Sequence, residues 1–174
     1  MSEIRPFQIA VPQSELDDLR DRLRRTRWTP EIPGQGWTRG VPADYLRGLA
    51  TYWAESYDWR AAEAALNRLP QFVTEVDGQT IHFAHIESAN PAATPLLISH
   101  DWPSSFALYL PVVEAMREHF HLVLVSNAGF GFSGHTPFQP IVSLAETLGT
   151  LLSPVLLMQT GRGEELHAAL VAAA

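Results

Sequence analysis

Apolar side chains recur at helical spacing through residues 1–70 and at strand spacing after them. Leu16, Leu19 and Leu23 fall on one face, with Asp18, Arg20, Asp21, Arg22 and Arg24 filling the other. The spacing predicts an amphipathic helix capped by Ser14, with Asp17 at the third position of a start resembling a capping box. Thr29-Pro30-Glu31-Ile32-Pro33-Gly34-Gln35-Gly36 is rich in breakers and predicts a loop. Asp44 then opens a second helix with Leu46, Leu49, Trp53 and Tyr57 on one stripe. A third, from about Arg60 to Arg68, ends before Pro70. Trp28, Trp37, Trp53 and Trp59 lie in this helical part, where large aromatics are expected to serve as core and clamp residues.

The period changes at Phe72. Phe72–Val76, Asp77-Gly78 and Thr80–Ile86 predict a β-hairpin, which Asn90-Pro91 ends. Leu96-Leu97-Ile98 predicts a short, fully buried strand, and His121–Ser126, with its Leu-Val-Leu-Val core, a second. Between them Ser104–Phe120 predicts a helix, with Leu110, Val113 and Phe120 on its inner face. Hairpin, strand, helix, strand fits the opening of a mostly parallel, doubly wound α/β sheet of about four or five strands. The pattern weakens over 138–174: Ile141–Leu152 and Glu164–Ala173 read as helices, and Val155–Met158 reads as a helix or one more strand. The expected organisation is a helical segment at 1–70, a sheet-forming core at 71–137 and a divergent tail at 138–174.

Composition narrows the partners. The formal net charge is −7, and all 12 basic residues are arginine. An acidic chain with dispersed basic residues argues against nucleic acid or an anionic membrane as partner. The 46% apolar content is enough for a packed core. There is no cysteine, hence no disulfide, thiolate ligand or cysteine nucleophile. The start, Met1-Ser2-Glu3-Ile4-Arg5-Pro6, has no apolar leader run, and no stretch approaches the roughly 18 apolar residues of a spanning helix. A soluble, cytoplasmic protein is expected.

Two motifs carry the chemistry. His100-Asp101-Trp102-Pro103 follows the first buried strand and reads as an oxyanion turn. Gly129-Phe130-Gly131-Phe132-Ser133 follows the second and reads as its exit loop. Gly129-x-Gly131-x-x-Gly134 matches the letters of a dinucleotide fingerprint. However, His135-Thr136-Pro137 and Pro140 follow where a helix is required, and no acid appears after a next strand. Gly131-Phe132-Ser133-Gly134-His135 has the look of a serine elbow, but no strand leads directly into it. Neither His82 with His85 nor His119 with His121 has the carboxylates of a metal site nearby, so no metal and no cofactor is expected.

An ordered series of short segments resembles the microsomal-type epoxide hydrolase family: Arg5-Pro6-Phe7, Leu19-Arg20-Asp21-Arg22-Leu23, Thr26-Arg27-Trp28, Tyr52-Trp53, Tyr57-Asp58-Trp59-Arg60, Leu66-Asn67, Leu69-Pro70-Gln71-Phe72 and Ile81-His82-Phe83. The two motifs above continue the resemblance to about residue 137. It implies a partial α/β-hydrolase sheet preceded by a helical N-terminal segment that wraps core and lid. The implied reaction is epoxide plus water to a vicinal diol. An aspartate opens the ring and forms an ester, a His–acid pair activates the water that hydrolyses it, and two lid tyrosines assist the departing oxygen. On this chain the resemblance places the remnant of the oxyanion turn at His100, Asp101, Trp102 and Pro103, with Trp102 supplying a backbone N–H.

The departures matter as much. No aspartate follows Asp101, and no Gly-Gly-Asp-Trp-like elbow follows Ser133. A glycine of the family pattern is Asp101 here, and its Leu-Pro is Asn127-Ala128, which is expected to loosen the exit loop. These residues therefore predict a truncated family member that is not independently catalytic, or one half of a split hydrolase. The alternative is a non-catalytic ligand-binding or protein-interaction module. A rewired enzyme with Asp101 as nucleophile and His135 or His167 as base is a further reading. The expected partners are an apolar, epoxide-like small molecule and either a second copy or a complementary hydrolase fragment.

Overall fold

The computed structural model describes residues 3–76 and 78–135. Two compact units divide the chain: Ile9–Ala65, and the residues up to Gln8 together with those from Leu66 onward.

The first unit is helical. Helix α1 spans Gln13–Arg24, α2 Ala43–Glu55 and α3 Trp59–Leu66. α1 begins one residue before the expected cap. Pro12 occupies the N-cap with φ of −56°, and its carbonyl accepts the Glu15 N–H at 3.1 Å, so Ser14 lies inside the helix. Proline suits a helix start because its fixed φ costs nothing there. Asp17 is correspondingly no capping-box acid; it accepts from Gln13 Nε2 at 2.9 Å and from Arg20 at 3.0 Å. α2 likewise follows a proline, Pro42, and its first N–H, that of Ala43, donates to Glu31 Oε1 at 2.9 Å. A carboxylate from the breaker-rich loop thus caps α2, while Asp44 pairs with Arg47 at 2.7 Å. Asp58 Oδ1 accepts the Ala61 N–H at 3.0 Å and starts α3. Glu63 binds this unit together: Oε1 accepts from the Val11 N–H at 2.8 Å and from Trp59 Nε1 at 3.2 Å, and Oε2 accepts from Arg60 at 2.7 Å. The Val11 hydrogen bond first, and then Arg60, hold its carboxyl below the usual range.

The tryptophans do not form a core. Trp37 is 63% exposed and Trp53 47%, and Trp28 and Trp59 are half-buried. The expected stripe of Leu46, Leu49 and Trp53 on α2, with Tyr57 just beyond the helix end, is exposed as well. With Leu16, Leu19 and Tyr52, part of that stripe lines an open apolar groove of about 470 Å³ within this unit.

The second unit is a five-stranded sheet in the order β1-β2-β3-β5-β4. Its strands are β1 Arg5–Phe7, β2 Gln71–Val76, β3 Gln79–Ile86, β4 Thr94–Ser99 and β5 Phe120–Val125. The β2–β3 hairpin forms as the alternation predicts, turning at Gly78 with φ of +76°. β1 was not legible as a strand; it pairs antiparallel with β2, setting Pro6 opposite Phe72. The sheet is mixed rather than mostly parallel: among the described residues only β4 and β5 run parallel. β3 and β5 form the buried centre, where Val76, Ile81, Phe83, Val123 and Val125 cluster. β4 is only half-buried, contrary to its apolar run, because among the described residues it is paired on one side alone.

The expected helix over Ser104–Phe120 is broken. A 3-10 segment runs Phe106–Val112, a short helix α4 runs Val113–Arg117, and Phe120 already belongs to β5. Pro111 lies in the middle of the expected helix, where it removes an N–H and crowds the preceding turn. Phe106 and Val113 are the side chains this connection buries. Helices or strands expected over 138–174 lie outside the described residues.

Candidate functional site

The motif residues His100–Pro103 leave the sheet at the end of β4, and Asn127–Ser133 leave it at the end of the adjacent β5. Parallel neighbours end on the same edge, so the register that pairs Ser99 with Val125 brings the two motifs side by side.

His100 is buried, and both of its ring nitrogens are engaged. Nδ1 lies 3.0 Å from the Asp101 carbonyl and therefore donates; Nε2 accepts the Asn127 N–H at 3.2 Å. These partners assign the neutral Nδ1–H tautomer. The Asp101 carbonyl also accepts the Ser104 N–H at 2.9 Å, which closes the turn. Trp102 and Pro103 are joined by a cis peptide bond, and the indole of Trp102 is 79% exposed. Among the described residues the Trp102 N–H has no hydrogen-bond partner, so it remains available as a donor. Asp101 is exposed and makes no ion pair among the described residues.

Asn127 does not loosen its loop. Its Nδ2 donates to the His100 carbonyl at 2.8 Å, and its Oδ1 accepts from Ser99 Oγ at 2.8 Å. The rest of the loop is equally fixed. Gly129 and Gly131 adopt φ of +81° and +55°, and the Gly134 N–H donates to the Thr80 carbonyl at 2.8 Å. Ser133 Oγ accepts the His82 N–H at 2.9 Å and donates to the Ser126 carbonyl at 2.6 Å. A buried, doubly bonded hydroxyl of this kind is no nucleophile, and no helix opens at Gly129–Gly134 to receive a dinucleotide phosphate.

Behind that loop lies a residue that pattern and spacing mark only as packing. His82 is fully buried on β3; its Nε2 meets Gln71 Oε1 at 2.9 Å, and its Nδ1 meets Ser126 Oγ at 2.9 Å. Gln71 Nε2 donates to the Leu66 carbonyl, which leaves Oε1 as acceptor and places the His82 proton on Nε2. Phe7, Phe106 and Phe132 surround the ring edge to face at 5.0–5.3 Å between centroids for Phe7, Phe106 and Phe132. Burial pushes the His82 pKa down to about 4. Burial also lowers that of His85, against an opposing effect of Glu87. A histidine between Ile81 and Phe83 in a strand was the available signal, and it reads only as packing.

His121 Nδ1 accepts the Ser88 N–H at 3.1 Å, and among the described residues no three His, Asp or Glu side chains gather to hold a metal. No base reaches Asp101 among the described residues: His100 has both nitrogens committed, His135 is exposed and makes no hydrogen bond or ion pair with it, and His167 lies outside them. Among the described residues no helix is long and apolar enough to cross a membrane.

Residues 4–109 match the family described as Epoxide hydrolase N terminus. Over 140 residues the chain is 44% identical to a putative epoxide hydrolase of Stigmatella aurantiaca, covering 75% of this chain and 32% of that protein. It is 31% identical over 144 residues to epoxide hydrolase 1 of Sus scrofa, with the same coverage of 75% and 32%. Among solved structures, the epoxide hydrolase of Aspergillus niger aligns with a TM-score of 0.77 and 32% identity, over 86% of this chain and 42% of that one. Juvenile hormone epoxide hydrolase from the silkworm Bombyx mori aligns with a TM-score of 0.78 and 27% identity, over 89% and 40%. The chain spans about a third of the length of the curated relatives it matches.

Proposed function

The chain belongs to the epoxide hydrolase N-terminus family, with the opening of an α/β-hydrolase core, and on that premise we propose that it supplies the oxyanion turn of an epoxide-opening site. In the family reaction a carboxylate oxygen bonds to a ring carbon as the carbon–oxygen bond of the epoxide breaks, and the alkoxide takes up a proton. Water, deprotonated by a base, then attacks the ester carbonyl. The oxyanion formed there is stabilised by backbone N–H groups.

The observation that carries this reading is the Trp102 N–H, which has no partner among the described residues and directly follows a carbonyl, that of Asp101, held by two donors. A donor held in a fixed turn needs no reorganisation when charge develops on the substrate. The substrate is an apolar, epoxide-like small molecule. The aspartate nucleophile is, on this reading, supplied by another polypeptide, since no aspartate follows Asp101, and among the described residues no base reaches the turn's carboxylate. On this reading the 174-residue polypeptide does not hydrolyse epoxides by itself, and its partner is a complementary hydrolase fragment.

The test is complementation. The 174-residue chain is assayed for diol formation from an aryl epoxide, alone and mixed with the portion of the Stigmatella relative that lies beyond the matched region. The expected result is diol from the mixture and from neither polypeptide alone. Diol from the chain alone, or none from a mixture that co-purifies as a complex, would overturn the proposal.

A further inference from the structure

We propose that Asn127 is a positioning residue, a clamp that holds the oxyanion turn against the exit loop of β5. The inference rests on the oxyanion reading of Trp102 but concerns a different residue and a different measurement.

His100 begins the turn, and each of its polar side-chain and carbonyl atoms is bonded. Asn127 provides two of those bonds, from its backbone N–H to Nε2 at 3.2 Å and from Nδ2 to the carbonyl at 2.8 Å. The amide is oriented for this by Ser99, whose hydroxyl donates to Oδ1 at 2.8 Å. Ser99 is itself anchored, since its carbonyl accepts the Tyr109 hydroxyl at 3.0 Å. The result is a closed chain of donors and acceptors from the end of β4 to the second residue after β5. Only the Asp101–Trp102 segment projects beyond it, with the Asp101 carbonyl tied back to His100 Nδ1 and to the Ser104 N–H. The position of the Trp102 N–H is therefore set through His100, and Asn127 sets His100.

An apolar side chain at position 127 could not make the two side-chain bonds of this arrangement. A leucine keeps the backbone bond to Nε2 but has no side-chain donor for the His100 carbonyl and no acceptor for Ser99. Asn127 is buried, so both of its side-chain bonds are made away from water, where leaving a partner unsatisfied is costly.

The experiment is hydrogen exchange and nitrogen-15 NMR on the full 174-residue chain and its Asn127→Ala variant. The Ser104 amide reports closure of the turn, the His100 ring nitrogens report the tautomer, and the Leu124 amide in β5 serves as the control. The expected result is exchange at Ser104 faster by roughly tenfold, and His100 ring shifts moved toward a tautomer mixture, with Leu124 unchanged. Unchanged Ser104 exchange and ring shifts overturn the clamp. Should Leu124 lose protection in parallel, Ser99→Ala decides: it frees the Asn127 amide without removing it, and Ser104 exchange must still rise severalfold or the clamp is overturned. In the complemented enzyme, Asn127→Ala is expected to lower kcat several-fold with KM unchanged. A turn loosened by NMR with kcat intact overturns the oxyanion reading and leaves the clamp standing, so the two failures are distinguishable.

Discussion

The Nδ1 atom of His82 lies 2.9 Å from the Ser126 hydroxyl, and that contact ties the middle of β3 to the first residue after β5. Ser126 returns a backbone bond, its N–H donating to the His82 carbonyl at 2.9 Å. The imidazole accepts from Ser126 and donates to Gln71, so the network is complete only while the ring is neutral.

Stability is therefore expected to depend on pH. The folded-state pKa of His82, about 4, lies below the ordinary value of 6.5, so the unfolded chain binds more protons between those values. The stabilisation is fully present above pH 6.5 and is lost as pH falls towards 4. His85, also lowered by burial, contributes with the same sign. The window of about 2.5 units corresponds to an effect on the order of 3 kcal/mol for His82. Thermal unfolding by circular dichroism from pH 7.5 to 4 should show the midpoint falling below pH 6.5, and His82→Gln should flatten that fall. Equal slopes for both proteins would remove His82 as the cause.

Gly131 and Gly78 separate two costs that usually travel together. Both have positive φ, +55° and +76°, so alanine is strained at either, by about 1 kcal/mol. A Cβ at Gly78 meets open space, whereas one at Gly131 would lie 2.7 Å from Ser126 Oγ and 3.2 Å from Ser126 Cβ. Ser126 is buried and bonded to His82, and it has no room to retreat. Gly78→Ala should cost about 1 kcal/mol in urea unfolding and Gly131→Ala roughly 2–4 kcal/mol. Equal losses would show that the loop opens freely around Ser126.

The sheet was legible where periodicity spoke alone. Alternation from Phe72 to Ile86 gave the hairpin, and the apolar runs at Leu96 and Leu122 gave the two parallel strands. The motif residues at 100–103 and 129–133 stand side by side because those two strands are neighbours. What failed depended on partners distant in sequence. β1 is three residues long and exists by pairing with β2, so no local pattern marks it. The cap of α2 comes from Glu31, twelve positions upstream, rather than from Asp44. The roles of His82 and Asn127 arise from bonds to residues 44 and 27 positions away, which spacing cannot show. The helix at 104–120 was a local error of a different kind, because Pro111 outweighed the apolar period.

Ser133 is an anchor point between the exit loop and β3. Its hydroxyl accepts the buried His82 N–H and donates to the Ser126 carbonyl. Ser133→Ala leaves both groups unsatisfied away from water, at about 1–3 kcal/mol for each such loss. A destabilisation of roughly 2–4 kcal/mol in urea is expected, with the Gly134 amide, bonded to Thr80, losing exchange protection first. A loss below about 0.5 kcal/mol would mean that water replaces the hydroxyl, and Ser133 would then be no anchor.

Asp101 offers the sharpest contrast between charge and backbone. Its carbonyl takes part in the turn, but its exposed carboxylate stands one residue from the N–H assigned to the oxyanion. Two like charges about 6 Å apart repel by roughly 0.7 kcal/mol in water and roughly 3 kcal/mol at an effective dielectric near 20. Solvent exposure favours the lower end. In the complemented enzyme Asp101→Asn should therefore raise kcat by roughly 3- to 10-fold, and added salt should shrink the difference between the two proteins. Asp101→Gly should do the same if the backbone is already comfortable, since the Asp101 carbonyl keeps its two donors in either variant. A fall in kcat for Asp101→Asn would point the opposite way, to a carboxylate that takes part in the chemistry, and would return Asp101 to consideration as a nucleophile.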